Sequence, residues 1–256
     1  MKGIVLAGGS GTRLHPITKA INKHLLPVGK YPMIFYPLAK LHQAGIEQVL
    51  VVTNKEQIGN FVNLLGSGKE FEMEFTYKVQ EQPGGIAQAL SLAATFVGSE
   101  RCLVILGDNL FSANLGPAIQ KYQKQPAGAK VFLKKVSDPQ RYAIAELQNG
   151  RVVRIEEKPL SPRSDWCVTG IYLYDSHVFE IIAKLKPSGR KELEITDVNN
   201  VYLREENLSY EFLDGWWTDA GTFEALQQAN EYTINYDLKN EWPVLSTGSL
   251  RNFSPF

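Results

Sequence analysis

The sequence has few of the features that mark secreted, membrane-spanning or nucleic-acid-binding proteins. Its two cysteines, Cys102 and Cys167, are too few for a disulfide framework or a four-cysteine zinc site. No stretch approaches the roughly 18 apolar residues of a membrane span, and the apolar N-terminal run is too short for a signal peptide. The 27 Lys and Arg residues balance the 27 Asp and Glu residues, which argues against a broad surface for nucleic acid or lipid. We therefore expect a cytoplasmic protein that binds neither nucleic acid nor membrane.

The residues that are present suffice for one large folded unit. Of the 256 residues, 44% are hydrophobic, which supplies enough apolar material to offset the entropy of the chain. No internal repeat or low-complexity linker divides the sequence, so we expect a single domain over residues 1–240. Residues 241–256 lose hydrophobic periodicity and are expected to form a loose tail.

The alternation of two hydrophobic periods predicts an α/β fold. Continuous apolar runs at 2–7, 49–52 and 102–106 are typical of buried strands in a parallel sheet. Between these runs lie helical patterns and one alternating, half-exposed strand pattern; the helical patterns span 34–45, 58–65 and 86–97, and the alternating one 71–79. This order requires a mostly parallel sheet covered by helices on both faces. In the second half, Asn149-Gly150 between two strand patterns predicts an antiparallel hairpin.

A glycine-rich loop follows the first predicted strand. It runs from Leu6 to Leu14, and its glycines allow successive backbone N–H groups to converge on an anion. It is not a Walker A loop, and Leu14 occupies the third glycine position of a dinucleotide-binding motif. The glycines alone are equally consistent with a tight strand-to-helix turn. Arg13 favours phosphate binding, because a guanidinium can clamp phosphate oxygens bidentately.

Two carboxylates are candidate metal ligands. Asp108 follows the strand pattern that ends at Leu106, at the sheet edge where α/β proteins bind ligands. Asp219 precedes a helical pattern. Taken singly, Asp108 is consistent with a turn residue and Asp219 with a helix cap. Together with a polyphosphate, one or two carboxylates are the usual protein ligands of Mg²⁺.

Short motifs follow one another in a characteristic order along the sequence. The first motif is Leu-Ala-Gly-Gly-Ser-Gly-Thr-Arg-Leu at 6–14, followed by Lys23 and Leu-Leu-Pro-Val at 25–28. The later motifs are Gly-Gly-Ile-Ala-Gln-Ala at 84–89, Gly-Asp-Asn at 107–109, Asp-Pro-Gln-Arg-Tyr at 138–142, Glu-Glu-Lys-Pro at 156–159, Val-Thr-Gly at 168–170, Glu-Leu-Glu-Ile-Thr-Asp at 192–197 and Trp-Thr-Asp-Ala-Gly-Thr at 217–222. Each motif is weak alone, but the ordered set covers residues 1 to about 230. In this order the motifs resemble those of the sugar-nucleotide pyrophosphorylases, and most closely those of the glucose-1-phosphate thymidylyltransferases.

This resemblance implies a Rossmann-like, mostly parallel central sheet flanked by helices, with an inserted antiparallel hairpin and sugar-binding region. It also implies transfer of a thymidylyl group from dTTP to glucose 1-phosphate, which yields dTDP-glucose and pyrophosphate for dTDP-rhamnose biosynthesis. The nucleotide part would reach to about residue 135 and the sugar part would span 136–230. A homo-oligomer is expected.

The resemblance also implies roles for individual residues. Arg13 and Lys23 would be catalytic, neutralising charge on the transferred and departing phosphates. Asp108 and Asp219 would bind Mg²⁺. The nucleotide would contact Leu6, Gly8, Gly9, Gly11, Thr12, Gln80 and Gly85. The sugar phosphate would contact Tyr142, Glu157, Lys158, Thr169 and Gly170.

Departures from the family pattern leave alternatives open. Residues 81–84 replace the usual Ser-Pro-Asp and Ala143 replaces a glycine, so UTP or another hexose phosphate is the second interpretation. His24 stands where glutamine is common, as a packing or surface variant. A catalytically silent module that binds sugar nucleotides is the non-enzyme alternative. A nicotinamide-dependent oxidoreductase would fit the α/β pattern, but the glycine spacing argues against it.

The C-terminal pattern bears on regulation. Longer members of the resembled family continue beyond the equivalent of Tyr232 with helices that help to form a second, regulatory nucleotide site. Here the recognisable pattern ends near Asn235. We therefore predict that a feedback site of that type is missing or reduced, and that any inhibition by dTDP-rhamnose is competitive.

Overall fold

The structure is a computed structural model that describes residues 1–246, in which a nine-stranded mixed sheet is the main element. The strands are β1 (Lys2–Leu6), β2 (Pro27–Val28), β3 (Tyr31–Pro32), β4 (Gln48–Asn54), β5 (Glu74–Gln80), β6 (Cys102–Leu106), β7 (Asn109–Phe111), β8 (Ala129–Lys135), β9 (Ala143–Gln148), β10 (Arg151–Glu157), β11 (Trp166–Tyr174), β12 (Leu208–Phe212) and β13 (Trp217–Asp219). The α-helices are α1 (Phe35–Gln43), α2 (Ile58–Leu65), α3 (Ile86–Ser91), α4 (Ala94–Val97), α5 (Gly116–Gln123), α6 (His177–Lys184), α7 (Ile195–Arg204) and α8 (Phe223–Thr233). None of the helices in this described part is long and apolar enough to cross a membrane.

The parallel part of the sheet gathers the ends of four strands at one edge. Strand β1 pairs with β4 on one side and β6 on the other, and β5 pairs with β4, all in parallel. Leu6 is in register with Val52 and Leu106, and Gln80 with Asn54. Because these strands run in the same direction, the glycine loop after β1, Gln80 at the end of β5 and Asp108 after β6 all lie at the carboxyl edge.

The rest of the sheet is largely antiparallel. Strand β11 pairs antiparallel with β6, β8 and β9, and β9 pairs antiparallel with β10. Asn149 and Gly150 connect β9 to β10 with φ of 50° and 73°, as a tight hairpin turn requires. The expected α/β fold, with a Rossmann-like sheet and an antiparallel hairpin region, is confirmed.

Both faces of the sheet are covered. Side chains of a strand alternate between the faces, so Val5 packs in one hydrophobic core while Ile4 and Leu6 pack in the other. All three are at most 7% exposed. This two-sided burial explains why β1, β4 and β6 have continuous apolar sequences rather than alternating ones.

A two-stranded ribbon lies beside the carboxyl edge of the sheet. Strands β7 and β13 pair antiparallel, with Asn109 in register with Asp219. The backbone N–H of Ala220 donates to the carbonyl of Asp108 over 2.9 Å. The ribbon therefore brings Asp108 and Asp219 together, although they are far apart in the sequence.

Two helix and strand predictions need correction. The helix expected over 86–97 consists of two short helices, α3 and α4, because the chain turns at Leu92 and Ala93 between them. The strand expected over 71–79 begins only at Glu74, since Lys69–Phe71 forms a 3₁₀ turn that buries Phe71.

The prediction of a loose tail is wrong for residues 241–246. Trp242 is fully buried, packs with ring centroids 5.9 Å from Phe35 and 5.2 Å from Phe71, and donates its indole N–H to the Phe71 carbonyl. The carboxylate of Glu241 accepts a hydrogen bond from the buried ammonium of Lys40 over 2.6 Å. The segment lacked periodicity because it folds as 3₁₀ turns, Leu238–Asn240 and Pro243–Ser246. The remainder of the predicted tail, 247–256, lies outside the described residues.

Candidate active site

A cavity of about 390 Å³ opens at the carboxyl edge of the parallel strands, beside the β7–β13 ribbon. It brings together most of the residues predicted from the sequence. These are Leu6, Gly8, Gly9, Arg13, Lys23, Gln80, Gly85, Asp108, Tyr142, Glu157, Lys158, Gly170 and Asp219.

Three of the predicted site residues do not line this cavity. Gly11 has a φ of 59° and its carbonyl accepts a hydrogen bond from the Thr18 hydroxyl, so it shapes the turn of the loop. Thr12 begins the 3₁₀ turn Thr12–Leu14. Thr169 is fully buried, and its hydroxyl donates a hydrogen bond to the Phe132 carbonyl over 3.0 Å. Val168 lines the cavity, and the side chain of Thr169 points to the opposite face of β11 because successive side chains of a strand alternate.

Two side chains hold the start of the glycine loop by hydrogen bonds to the Ala7 carbonyl. The carbonyl of Ala7 accepts hydrogen bonds from the Thr53 hydroxyl and the Asn22 amide, over 3.2 and 3.3 Å. The following residue, Gly8, lies against Gln80, and a Cβ at Gly8 would stand 2.7 Å from the Gln80 Oε1. A side chain at Gly8 would therefore push the Gln80 amide out of its present position.

Lys23 and Asp108 form an ion pair inside the cavity. The Lys23 ammonium donates to Asp108 Oδ2, and both side chains are largely buried. Burial alone would raise the pKa of Asp108, but the charge and hydrogen bond of Lys23 hold it below its usual range. Asp108 is therefore ionised at neutral pH, as a cation ligand must be.

Arg13 reaches the second carboxylate across a glycine. A Cβ placed on Gly221 would lie 2.7 Å from Arg13 Nη2 and 2.9 Å from Asp219 Oδ1. The absence of a side chain at Gly221 thus lets the guanidinium and the carboxylate approach the same point. Arg13 is itself exposed, so it is accessible to an anion that enters the cavity.

His24 is a packing residue and not a surface variant. It is 1% exposed, its Nδ1 lies 2.8 Å from Asn22 Oδ1, and a Cβ at Gly107 would be only 2.6 Å from its ring. Burial, and then the neighbouring charge of Lys23, lowers its pKa to about 3. A neutral imidazole therefore supports the Gly107-Asp108 turn from beneath.

Asp219 has the features of an unsatisfied cation ligand. Its Oδ1 is buried, and no group in residues 1–246 donates a hydrogen bond to it. Burial, followed by repulsion from Asp108, raises its pKa to about 6. A cation between the two carboxylates would relieve both effects.

The donor set fits Mg²⁺ bound together with substrate. No cluster of three or more His, Cys, Asp or Glu residues in the described chain could hold a metal alone. Mg²⁺ uses one or two carboxylates and completes its shell with water and phosphate oxygens, which two facing aspartates in an open cavity allow.

Sequence reasoning missed Asn109, which connects three elements behind the carboxylates. It is 2% exposed, and its Oδ1 accepts from the Gly170 N–H over 2.8 Å and from the Trp217 indole over 2.9 Å. Its Nδ2 donates to Asp108 Oδ1 over 3.2 Å. Because both acceptor contacts fix the oxygen, the amide nitrogen must face Asp108. The signal in the sequence was its place in the Gly-Asp-Asn motif at 107–109, directly after Asp108.

Sequence reasoning also missed the partners of Glu157 at the other end of the cavity. Glu157 accepts hydrogen bonds from Arg190 Nη2 over 3.0 Å and from the Thr196 hydroxyl over 2.6 Å. Arg190 also bonds Glu194 over 2.8 Å. Next to Glu157, Lys158 has a φ of 43°, which is uncommon outside glycine.

A glycine-rich loop, two cationic side chains and two carboxylates surround one open cavity, an arrangement that suits a polyanionic ligand. The chain belongs to the nucleotidyl transferase family, whose family model matches residues 2–235. This confirms the family predicted from the motifs.

Curated relatives cover most of the chain. A glucose-1-phosphate thymidylyltransferase of Neisseria meningitidis is 46% identical over 236 residues, which is 91% of this chain and 82% of the relative. The enzyme of the same name from Mycobacterium tuberculosis is 42% identical over 236 residues, again 91% of this chain and 82% of the relative.

Solved structures confirm the fold. A protein of Bacillus anthracis assigned as a glucose-1-phosphate thymidylyltransferase, in complex with sucrose, is 53% identical with a TM-score of 0.91. The match covers 95% of this chain and 99% of that one. A UDP-glucose pyrophosphorylase bound to UDP-glucose is more distant, with 27% identity, a TM-score of 0.80, and coverage of 92% of this chain and 99% of that one.

Proposed function

We propose that the protein is a glucose-1-phosphate thymidylyltransferase, which converts dTTP and glucose 1-phosphate into dTDP-glucose and pyrophosphate. The relatives at 41–46% identity carry this name. The observation that carries the proposal is the position of Asp108 and Asp219, which line one cavity together with the glycine loop, Gln80, Glu157 and Lys158.

The reaction is an in-line displacement at phosphorus. A phosphate oxygen of glucose 1-phosphate forms a bond to the α-phosphorus of dTTP, while the bond between that phosphorus and the α,β-bridging oxygen breaks. The electron pair leaves with pyrophosphate. The attacking oxygen is anionic at pH 7, so no general base is required, and catalysis consists of positioning and charge neutralisation.

In this proposal the chain supplies fixed positive charge at both ends of the displacement. The glycine loop and Arg13 hold the triphosphate, and Lys23, paired with Asp108, lies beside the α-phosphate. Lys158 binds the phosphate of the sugar, and Glu157, held by Arg190 and Thr196, accepts hydrogen bonds from sugar hydroxyls.

Asp108 and Asp219 would hold Mg²⁺, which when bound neutralises charge on the α-phosphate and the departing pyrophosphate. Each carboxylate is prepared differently for this task. Lys23 holds the pKa of Asp108 below its usual range, whereas burial and the charge of Asp108 raise the pKa of Asp219 to about 6, a shift that a bound cation would oppose. The role of these residues is to orient the polyanion, since they neither donate nor accept a proton in the transfer.

The test is pyrophosphate release by the purified protein with dTTP, glucose 1-phosphate and Mg²⁺. UTP, dCTP and ATP, each with glucose 1-phosphate and with other hexose 1-phosphates, complete the panel. We expect the highest kcat/KM for dTTP with glucose 1-phosphate. An Asp108→Asn variant, which keeps the shape and loses the charge, should lose at least ~10²-fold in kcat. Absence of turnover with every pair would refute the proposal, and a clear preference for UTP would replace thymidylyl by uridylyl transfer.

A further inference from the structure

The amide of Gln80 has one definite orientation. Its Nε2 donates to the backbone carbonyl of Gly85 over 3.3 Å and to Gln88 Oε1 over 2.6 Å. A backbone carbonyl oxygen can only accept, so the atom of the Gln80 amide that faces Gly85 must be the nitrogen. The same constraint makes the facing atom of Gln88 an oxygen.

The free oxygen of Gln80 faces the cavity. Gln80 lines the cavity, and a Cβ on Gly8 would be 2.7 Å from its Oε1, which places this oxygen above the glycine loop. No group in residues 1–246 donates a hydrogen bond to it. The lining of the same cavity includes the apolar residues Leu6, Pro83 and Ile86. A flat heterocycle that binds beside Gln80 would therefore meet a hydrogen-bond acceptor.

Gln88 is held in place by contacts outside the cavity. It lies on α3, and the start of this helix is tied to the segment before α7, since Leu193 N–H donates to the Gly84 carbonyl over 2.8 Å. The Ala87 N–H donates to the Leu193 carbonyl over 3.1 Å. A Cβ on Gly84 would be 2.9 Å from Gln88 Cγ, so the loop lies directly on the Gln88 side chain. The acceptor that orients Gln80 is thus fixed by the fold.

We propose that Gln88 is a positioning residue for base selection, which locks the Gln80 amide with its oxygen toward the base. The N3–H of thymine or uracil can donate a hydrogen bond to this oxygen, whereas N3 of cytosine is itself an acceptor. The inference rests on the proposed function, because it places the base at Gln80. It explains selection of imide bases over cytosine and leaves the choice between thymine and uracil to other contacts.

The experiment compares kcat/KM for dTTP and dCTP in three variants of Gln88. Gln88→Glu keeps an acceptor and should preserve the ratio of the two nucleotides. Gln88→Leu removes the acceptor and frees the Gln80 amide to turn, so the ratio should fall about tenfold, the worth of one hydrogen bond of this kind. Gln88→Lys offers only donors, draws the Gln80 oxygen away from the base, and should lower the ratio further. Where dCTP turnover is too slow, its inhibition constant against dTTP replaces kcat/KM.

Controls separate this role from a structural one. Gln120→Leu makes the same change on the exposed face of α5 and should leave both rates unchanged. Gln88→Met replaces the leucine variant if that variant does not fold. Equal losses for both nucleotides, or an unchanged ratio in the leucine or methionine variant, would overturn the inference while dTTP turnover by the wild type upholds the proposed function. A wild type inactive on dTTP would overturn both.

Discussion

Asp219→Asn should abolish catalysis and at the same time stabilise the metal-free protein. The buried Oδ1 of Asp219 has no partner in residues 1–246, and the carboxylate faces the ionised Asp108. Both burial and this repulsion raise its pKa to about 6. An amide has nearly the same shape and carries no charge, so it removes the repulsion without opening a cavity.

The magnitude follows from the pKa. A rise from 3.8 in the unfolded chain to about 6 in the fold corresponds to roughly 3 kcal/mol, at about 1.4 kcal/mol per pH unit. The folded state binds the Asp219 proton more tightly than the unfolded chain does. The resulting contribution to the free energy of unfolding is therefore fully present below pH 3.8 and is lost as the pH rises through about 6. The asparagine variant has no such loss, so its advantage should be near zero at pH 4 and about 2–3 kcal/mol at pH 8.

The assay is urea unfolding of both proteins in EDTA at pH 4, 6 and 8. The comparison across pH cancels differences between the amide and the protonated acid. Saturating Mg²⁺ with dTTP should reverse the order of stability, since only the wild type gains from the cation. A stability difference that does not change between pH 4 and pH 8 would show that Asp219 is not strained by burial and by Asp108.

Other substitutions test the remaining parts of the site and the fold. Arg13→Ala and Lys23→Ala should lower kcat more than they raise KM, because charge on the departing phosphates grows in the transition state. Lys158→Ala should mainly raise the KM for glucose 1-phosphate. Steady-state kinetics in which each substrate is varied in turn test both predictions. Asn109→Leu should lower kcat about 10- to 100-fold at nearly constant KM for both substrates, since it releases Asp108, and a pure KM effect would contradict this role. Trp242→Ala should cost about 3–5 kcal/mol of unfolding free energy, measured in urea, and a cost below 1 kcal/mol would show that this segment does not pack as described.

The first half of the fold could be predicted because its signals are local. Strands β1, β4 and β6 are buried on both faces, so each is a continuous apolar run of a length that a strand requires. The motifs at the carboxyl ends of these strands then fall at one edge for topological reasons alone. The same reasoning placed Asp108 and the glycine loop at one sheet edge, whereas Gln80 was assigned to the site by the family resemblance.

The β7–β13 ribbon and the partners of the site residues could not be predicted in this way. Each strand of the ribbon has three residues, too few for a hydrophobic period, and its pairing joins segments about a hundred residues apart in sequence. The role of Asn109 depends on a backbone N–H of β11 and an indole of β13, which no local pattern reports. Lys40 likewise lies on α1 as an ordinary polar residue, yet it is 2% exposed.

That buried lysine shows how the carboxylates are held from outside the cavity. The Lys40 ammonium donates to the Ser112 carbonyl over 3.2 Å and to Glu241, so the segment after α8 is tied to the end of β7. Ser112 in turn exchanges two hydrogen bonds with Trp216, which leads into β13. Hydrogen bonds outside the cavity therefore hold both strands of the ribbon, and Asn109 adds hydrogen bonds beside the carboxylates. Two repelling carboxylates stay in place in the metal-free protein because this support, distributed over the β11 strand, α1 and residues 238–246, opposes their separation.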